Sequence, residues 1–179
     1  MCGLYAGLPH QCIATGSVGG GVEALWTPIL VNRLGYCEHH CVLCGHVCPT
    51  GAIRPLTVLE KVGQSGQGSK AVEPIKLGTA FFDQGRCLPW AMHTPCIVCE
   101  EVCPTSPKAI WYKKVELADR KGQPVRLKQP YVEPALCIGC GICENKCPVA
   151  DRAAIRVTSV GESRSVHNHM ILKSGERVG

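Results

Sequence analysis

The sequence predicts an α+β chain in which short strands and single helical turns are arranged around cysteine loops. Three observations predict it. Of 179 residues, 14 are Cys, whereas Phe and Trp number only two and three, so large side chains do not organise the interior. Twelve of the cysteines fall into three groups that each end in Cys-Pro: Cys37 to Pro49, Cys87 to Pro104 and Cys137 to Pro148. Each Cys-Pro is followed by Ala-Ile, at Ala52-Ile53, Ala109-Ile110 and Ala154-Ile155. The unit of strand, cysteine loop, helical turn, Cys-Pro and strand is therefore repeated along the chain.

The third group is the most specific. Cys137, Cys140, Cys143 and Cys147-Pro148 are spaced C-x2-C-x2-C-x3-C-P, the run in which three thiolates hold one iron–sulfur cluster and the fourth serves a neighbouring one. Gly139 and Gly141 are expected to bring the backbone close to the inorganic sulfides. Cys147 is expected at the start of a helical turn facing away from the first three, and Pro148 ends the loop. The second group reads Cys87-x8-Cys96-x2-Cys99-x3-Cys103-Pro104. Its eight-residue gap is expected to bulge out as a loop and return. Exchange of fourth cysteines between the two groups assigns one 4Fe–4S cluster to Cys87, Cys96, Cys99 and Cys147. A second then takes Cys137, Cys140, Cys143 and Cys103.

The first group is Cys37-x3-Cys41-x2-Cys44-x3-Cys48-Pro49. Its partner half is sought upstream, where Cys2 and Cys12 have the offset of the first and last cysteines of the full motif. Tyr5 and Leu8 stand at the two middle ligand positions. An eroded half that kept only its fourth cysteine would give Cys12 to a third cluster on Cys37, Cys41 and Cys44. The rival is local closure by Cys48. Cys37-x3-Cys41-x2-Cys44 also has the spacing of radical S-adenosylmethionine enzymes, but residues 49–86 cannot supply the barrel that chemistry needs, and Leu43 is not aromatic. Zinc on C-x2-C pairs is a further alternative, although zinc sites do not ordinarily repeat C-x2-C-x3-C-P. His39, His40 and His46 read as exposed loop residues, and His167 and His169 have no assigned role.

Between the groups the chain alternates or loosens. Residues 22–36 read as a short helix ending before Pro28 and then an extended apolar run, with Trp26 and Tyr36 as core residues. Residues 60–75 are polar and Gly-rich, a linker. Thr79 to Phe82 reads as a strand. Trp111 to Leu117 and Val125 to Lys128 alternate around the turn Asp119-Arg-Lys-Gly122, a hairpin inserted between the second and third groups. Residues 159–179 are polar and charged. The expected organisation is 1–59 as a degenerate half with one cluster, 60–78 as linker, 79–160 as a two-cluster domain and 161–179 as tail.

The formal charge of +5 does not read as a nucleic-acid footprint. Twelve thiolates and three doubly positive cores would bring it to about −1, and Lys and Arg form no stripe. No apolar run approaches the length of a membrane span. No apolar stretch follows a charged N-terminus, so no export signal is expected and the expected location is the cytoplasm, in association with a membrane complex.

Gly35 to Ile53, Pro95 to Pro104 and Leu136 to Pro148 carry a family resemblance. Over roughly residues 25–160 the chain resembles multi-cluster ferredoxin-type proteins that feed or drain larger redox complexes, such as the accessory proteins of periplasmic nitrate reductase and methylamine utilisation. The resemblance implies a bacterial two-cluster ferredoxin-like repeat with an inserted hairpin, plus a degenerate N-terminal ferredoxin-like half. It implies an electron carrier and not an enzyme, working with a larger redox enzyme or membrane electron-transfer complex. Such proteins usually carry four motifs, and the first is eroded here.

Reconstituted protein is expected to hold about 12 Fe and about 12 acid-labile sulfides per chain, as three four-iron clusters require. Cys12→Ala should remove or convert one cluster, whereas Cys48→Ala and Cys2→Ala should leave the iron content unchanged. Loss of about four irons from Cys48→Ala alone would mean that the first group closes on itself.

Overall fold

The computed structural model describes residues 13–15, 28–49, 51, 53–63, 72–118 and 122–163. Cys2, Tyr5, Leu8, Cys12, Trp26, the Asp119 to Lys121 turn and the tail from residue 164 lie outside the described residues. The chain runs β1 (Ile13–Thr15), β2 (Pro28–Leu30), α1 (Leu43–His46), α2 (Val58–Val62), β3 (Thr79–Phe82), α3 (Leu88–Ala91), α4 (Val98–Glu101), β4 (Ile110–Ala118), β5 (Pro124–Val132), α5 (Ile142–Asn145) and β6 (Ile155–Thr158). Mixed short helices and strands agree with the expected α+β class.

Among the described residues three two-stranded antiparallel sheets form: β1 with β2, β3 with β6 and β4 with β5. β3 and β6 pair Thr79 with Thr158 and Phe82 with Ile155, so the strand before the second group meets the strand after the third. β4 and β5 pair Ile110 with Val132 and, at the far end, Ala118 with Pro124. β5 continues four residues past Lys128, through Pro130, which is tolerated because β5 is an edge strand of a two-stranded sheet. The base of this hairpin is fixed where Trp90 Nε1 donates to the Pro130 carbonyl at 3.2 Å and Tyr112 donates to the Ile97 carbonyl at 2.9 Å.

Four of the helices are single turns of four residues, too short to persist by propensity. α1, α4 and α5 each hold the third cysteine of their group: Cys44, Cys99 and Cys143. The fourth cysteine follows the helix and does not start it, correcting the expectation for Cys147. Rotation over that one turn separates the directions of the two thiols, so the exchange geometry survives the correction.

The interior is small. The main buried cluster contains Ala80, Ala109, Ala153 and Ala154, five cysteines (Cys87, Cys99, Cys137, Cys143 and Cys147), and only Ile110 and Ile155 as larger side chains. Full burial of those two contributes roughly 1.5–3 kcal/mol each, against about 1–2 kcal/mol for ordering each residue's backbone.

Residues 32–37 are stitched onto the third group. Arg33 donates to the carbonyls of Glu144 and Cys147 at 3.1 Å and of Val149 at 3.2 Å, supplying partners that the end of α5 lacks. Asn32 Nδ2 donates to Glu144 Oε2 at 3.0 Å, Asn145 Nδ2 returns a bond to the Asn32 carbonyl at 2.9 Å, and Cys37 N–H donates to the Cys140 carbonyl at 2.9 Å. Tyr36, expected in a core, is half-buried, with Lys146 Nζ 5.5 Å from its ring centroid.

Two further expectations change. The segment read as linker from residue 60 begins inside α2. Thr57 caps that helix, accepting from Glu60 N while Glu60 accepts from Thr57 N, a capping box that ends at Gly63. Among the described residues no strand opens at Ile53, unlike the positions after the second and third groups. There Ile53 N–H is directed at Cys48 Sγ (3.5 Å), and the chain crosses α1 at Arg54-Pro55.

The two glycines of the third loop are required by protein contacts. Gly139 has φ +68°, and a Cβ there would stand 2.5 Å from Gly78 N and 2.6 Å from Gly78 O. Gly141 has φ +81°, and its Cβ would run into the Asn32 carboxamide. Gly139→Ala is expected to destabilise the cluster-loaded chain by roughly 2–4 kcal/mol, from left-handed strain and overpacking together. Denaturant melts of the loaded protein check this, and an unchanged midpoint would mean that Gly78 can yield.

Candidate metal centre

Around the third loop, Cys137, Cys140 and Cys143 line a recess together with Cys103 of the second group. Ala80, Ala109, Ile110, Ile138 and Val157 close its apolar wall. A second recess is lined by Cys87, Cys96 and Cys99 together with Cys147 of the third group. Phe82, Leu88, Val149, Ala154 and Ile155 surround it. The fourth cysteine in each recess comes from the other group because α4 and α5 pack against each other. Each helix offers its internal cysteine to one side and its trailing cysteine to the other.

The eight-residue gap after Cys87 is not a bulge. It forms α3, with Pro89 in the first turn and fully buried. His93 then takes a left-handed φ of 51° and Thr94 N–H donates back to the Leu88 carbonyl at 3.1 Å, which turns the chain inward to Cys96. His93 Nδ1 lies 2.8 Å from the Ala118 carbonyl. Trp90 meets Tyr131 edge-on at 5.3 Å and closes the outside of the turn.

Burial governs the electrostatics. It pushes the thiols of Cys87 and Cys140 up to about 11 and that of Cys99 up to about 12, from an ordinary 9.0. Cys143 is raised well above its ordinary value, first by burial and then by Cys140 and Cys99. A bare thiolate is unfavourable in these recesses, and a positive iron–sulfide core is the kind of group that restores the balance. Hydrogen bonds also reach sulfur: Ala80 N–H donates to Cys137 Sγ at 3.4 Å, and the Thr105 hydroxyl lies 3.3 Å from Cys103 Sγ. The donor set of four thiols, the recess and its apolar wall fit a four-iron core. Among the described residues no three Cys, His, Asp or Glu side chains converge on a point suited to a single ion.

The first group is more open. Cys37, Cys41, Cys44 and Cys48 are all half-buried, and burial raises the Cys44 thiol. Cys12 lies outside the described residues, so its proposed role has no geometry here. His40 and His46 are exposed as expected, but His39 is half-buried, with its Nδ1 enclosed and without a partner and its ring edge-on to His40 at 4.8 Å. Sequence reasoning missed Asn32 and Arg33, which hold the third loop, and Lys61, whose ammonium lies 3.1 Å from Cys37 Sγ. The pattern Thr57-x-x-Glu60 was the available signal for the helix that carries Lys61.

Residues 130–150, which contain the third cysteine group, match the family model of a 4Fe–4S binding domain. The chain is also similar to three ferredoxin-type proteins. The methylamine utilization ferredoxin-type protein MauM of Methylophilus methylotrophus is 32% identical over 134 residues, 73% of this chain and 50% of that protein. MauM of Paracoccus denitrificans is 32% identical over 160 residues, 87% of this chain and 62% of that protein. The ferredoxin-type protein NapG of Haemophilus influenzae is 30% identical over 152 residues, 83% of this chain and 48% of that protein. The chain thus spans about half to three-fifths of the length of these curated relatives. No solved structure gives a significant match. Both the matched motif and these likenesses are to ferredoxin-type, 4Fe–4S-binding proteins.

Proposed function

We propose that the chain is a one-electron carrier holding three 4Fe–4S clusters, which passes electrons to or from a larger redox enzyme. The observation that carries this reading is the pair of recesses, each lined by four cysteines with the fourth exchanged between groups. One cluster belongs to Cys103, Cys137, Cys140 and Cys143, and another to Cys87, Cys96, Cys99 and Cys147. A third belongs to Cys37, Cys41 and Cys44, with Cys12 as fourth ligand and Cys48 as its rival. In this reading residues 79–160 form the two-cluster ferredoxin-like unit, residues 1–59 the degenerate half with one cluster, 60–78 the connection and 161–179 the tail.

A bound 4Fe–4S cluster supplies a one-electron site whose potential depends on burial and on hydrogen bonds to sulfur. The protein's part is ligation, exclusion of water and placement. The apolar walls of Ile110, Ile155 and Phe82 keep solvent from the two inner sites. Ala80 N–H and the Thr105 hydroxyl supply hydrogen bonds at sulfur. The bond from Cys37 N–H to the Cys140 carbonyl sets the first group directly against the third. The α4–α5 contact sets the third against the second. This contiguity supports a relay in the order first group, third-group recess, second-group recess. Among the described residues no helix is long and apolar enough to cross a membrane. The names of two of the relatives tie those proteins to methylamine utilization, and a redox enzyme of that kind is the proposed type of partner.

Anaerobically purified protein is expected to show broad brown absorption that dithionite bleaches. A colourless protein containing zinc would overturn the reading. Formation of deoxyadenosine from S-adenosylmethionine above the buffer blank would replace it with a radical-enzyme reading.

A further inference from the structure

A fixed cation lies against the sulfur of the first group. Lys61 Nζ donates to Cys37 Sγ at 3.1 Å, to the Glu38 carbonyl at 2.6 Å and to the Cys41 carbonyl. All three ammonium donors are thus directed at one cysteine loop. At the other two sites the sulfur contacts described above come from neutral groups, Ala80 N–H and the Thr105 hydroxyl.

The delivery of Lys61 is built into the backbone. α2 buries none of its side chains, so hydrophobic packing does not explain it. It is held by its ends: the Thr57–Glu60 capping box, the Arg54–Glu60 ion pair at 3.2 Å and the bond from Ile75 N–H to the Lys61 carbonyl at 3.1 Å. The approach to it is equally constrained. A Cβ at Gly45 of α1 would stand 2.5 Å from the Arg54 carbonyl oxygen, so the returning chain lies directly on the cysteine helix. A short helix started three residues after Arg54 brings Lys61 over Cys37.

We propose that Lys61 is a positioning residue that raises the reduction potential of the first cluster, by holding a positive charge against its Cys37 ligand. This rests on the electron-carrier reading but not on whether Cys12 or Cys48 completes the cluster. Reduction places one more negative charge on a thiolate-bound core, and a nearby ammonium stabilises that state more than the oxidised one. Lys61 is half-buried, so solvent weakens the effect without abolishing it. The first cluster is then a better electron acceptor than the same site would be without Lys61.

The test is a redox titration of the full chain, reconstituted anaerobically and followed by electron paramagnetic resonance. The first cluster's signal is identified as the one missing from Cys44→Ala. Lys61→Met is expected to shift the reduced-to-oxidised ratio of that cluster about tenfold toward oxidised at a given potential, about 59 mV for a one-electron couple. The other two signals should stay in place, and Lys61→Arg should restore most of the shift. If Lys61→Met loses about four irons, the titration is made on Lys61→Gln, which keeps a hydrogen-bond donor to the Glu38 and Cys41 carbonyls without the charge and must show the same shift. Equal potentials in wild type and Lys61→Met would overturn it, as would Lys61→Arg behaving like Lys61→Met. A wild-type chain that takes up no iron would instead remove the electron-carrier reading beneath it.

Discussion

Cysteines occupy the positions where a domain of this size would place its large apolar side chains. Cys87, Cys99, Cys137, Cys143 and Cys147 share the buried cluster with four alanines and two isoleucines. Such a core has few large apolar side chains, so it makes fewer of the dispersion contacts that hold ordinary interiors together. Burial holds the thiols strongly toward their neutral form, so the same walls that exclude water also disfavour bare thiolates. One bound group answers both problems: it fills the recess and it compensates the ligand charge.

The remaining architecture follows from bringing four thiols around each recess. Helices of a single turn are enough, because their task is to separate the directions of two cysteines and not to bury a face. The exchange of Cys103 and Cys147 ties the second and third groups together, and the pairing of β3 with β6 closes the unit from the other side. The segment from Asn32 to Cys37 joins the first group to this unit through hydrogen bonds and the Lys146–Tyr36 contact. Its contacts converge on Glu144, whose carboxylate accepts from both Asn32 Nδ2 at 3.0 Å and Val157 N–H at 2.8 Å. Loop, strand and N-terminal segment thereby meet at one side chain beside the Cys143 helix.

Much of this was legible because cysteine spacing is a geometric statement. The positions of Cys137 to Cys147 specify a loop, a turn and a fourth cysteine facing the other way, and alternation at Trp111 to Leu117 marks a two-sided strand. The missed features were set by contacts distant in sequence. Nothing local says that Gly139 must be glycine because Gly78 crosses it, or that Gly141 must be glycine because of Asn32. The last residues of β5 run through Pro130, which an edge strand tolerates because its backbone there faces Trp90 and not β4. α2 was hidden by the glycines that follow it. Its capping box was visible, but a helix with no apolar face carries no periodicity.

The central claim is that bound clusters stand in place of a hydrophobic core. The most direct measurement compares thermal unfolding of the cluster-loaded chain with that of the same chain after chelation under reducing conditions. The account predicts a cooperative transition in the loaded protein and none in the chelated one, because too little apolar packing is left to order the loops. A chelated chain that kept a cooperative transition near the same temperature would contradict it.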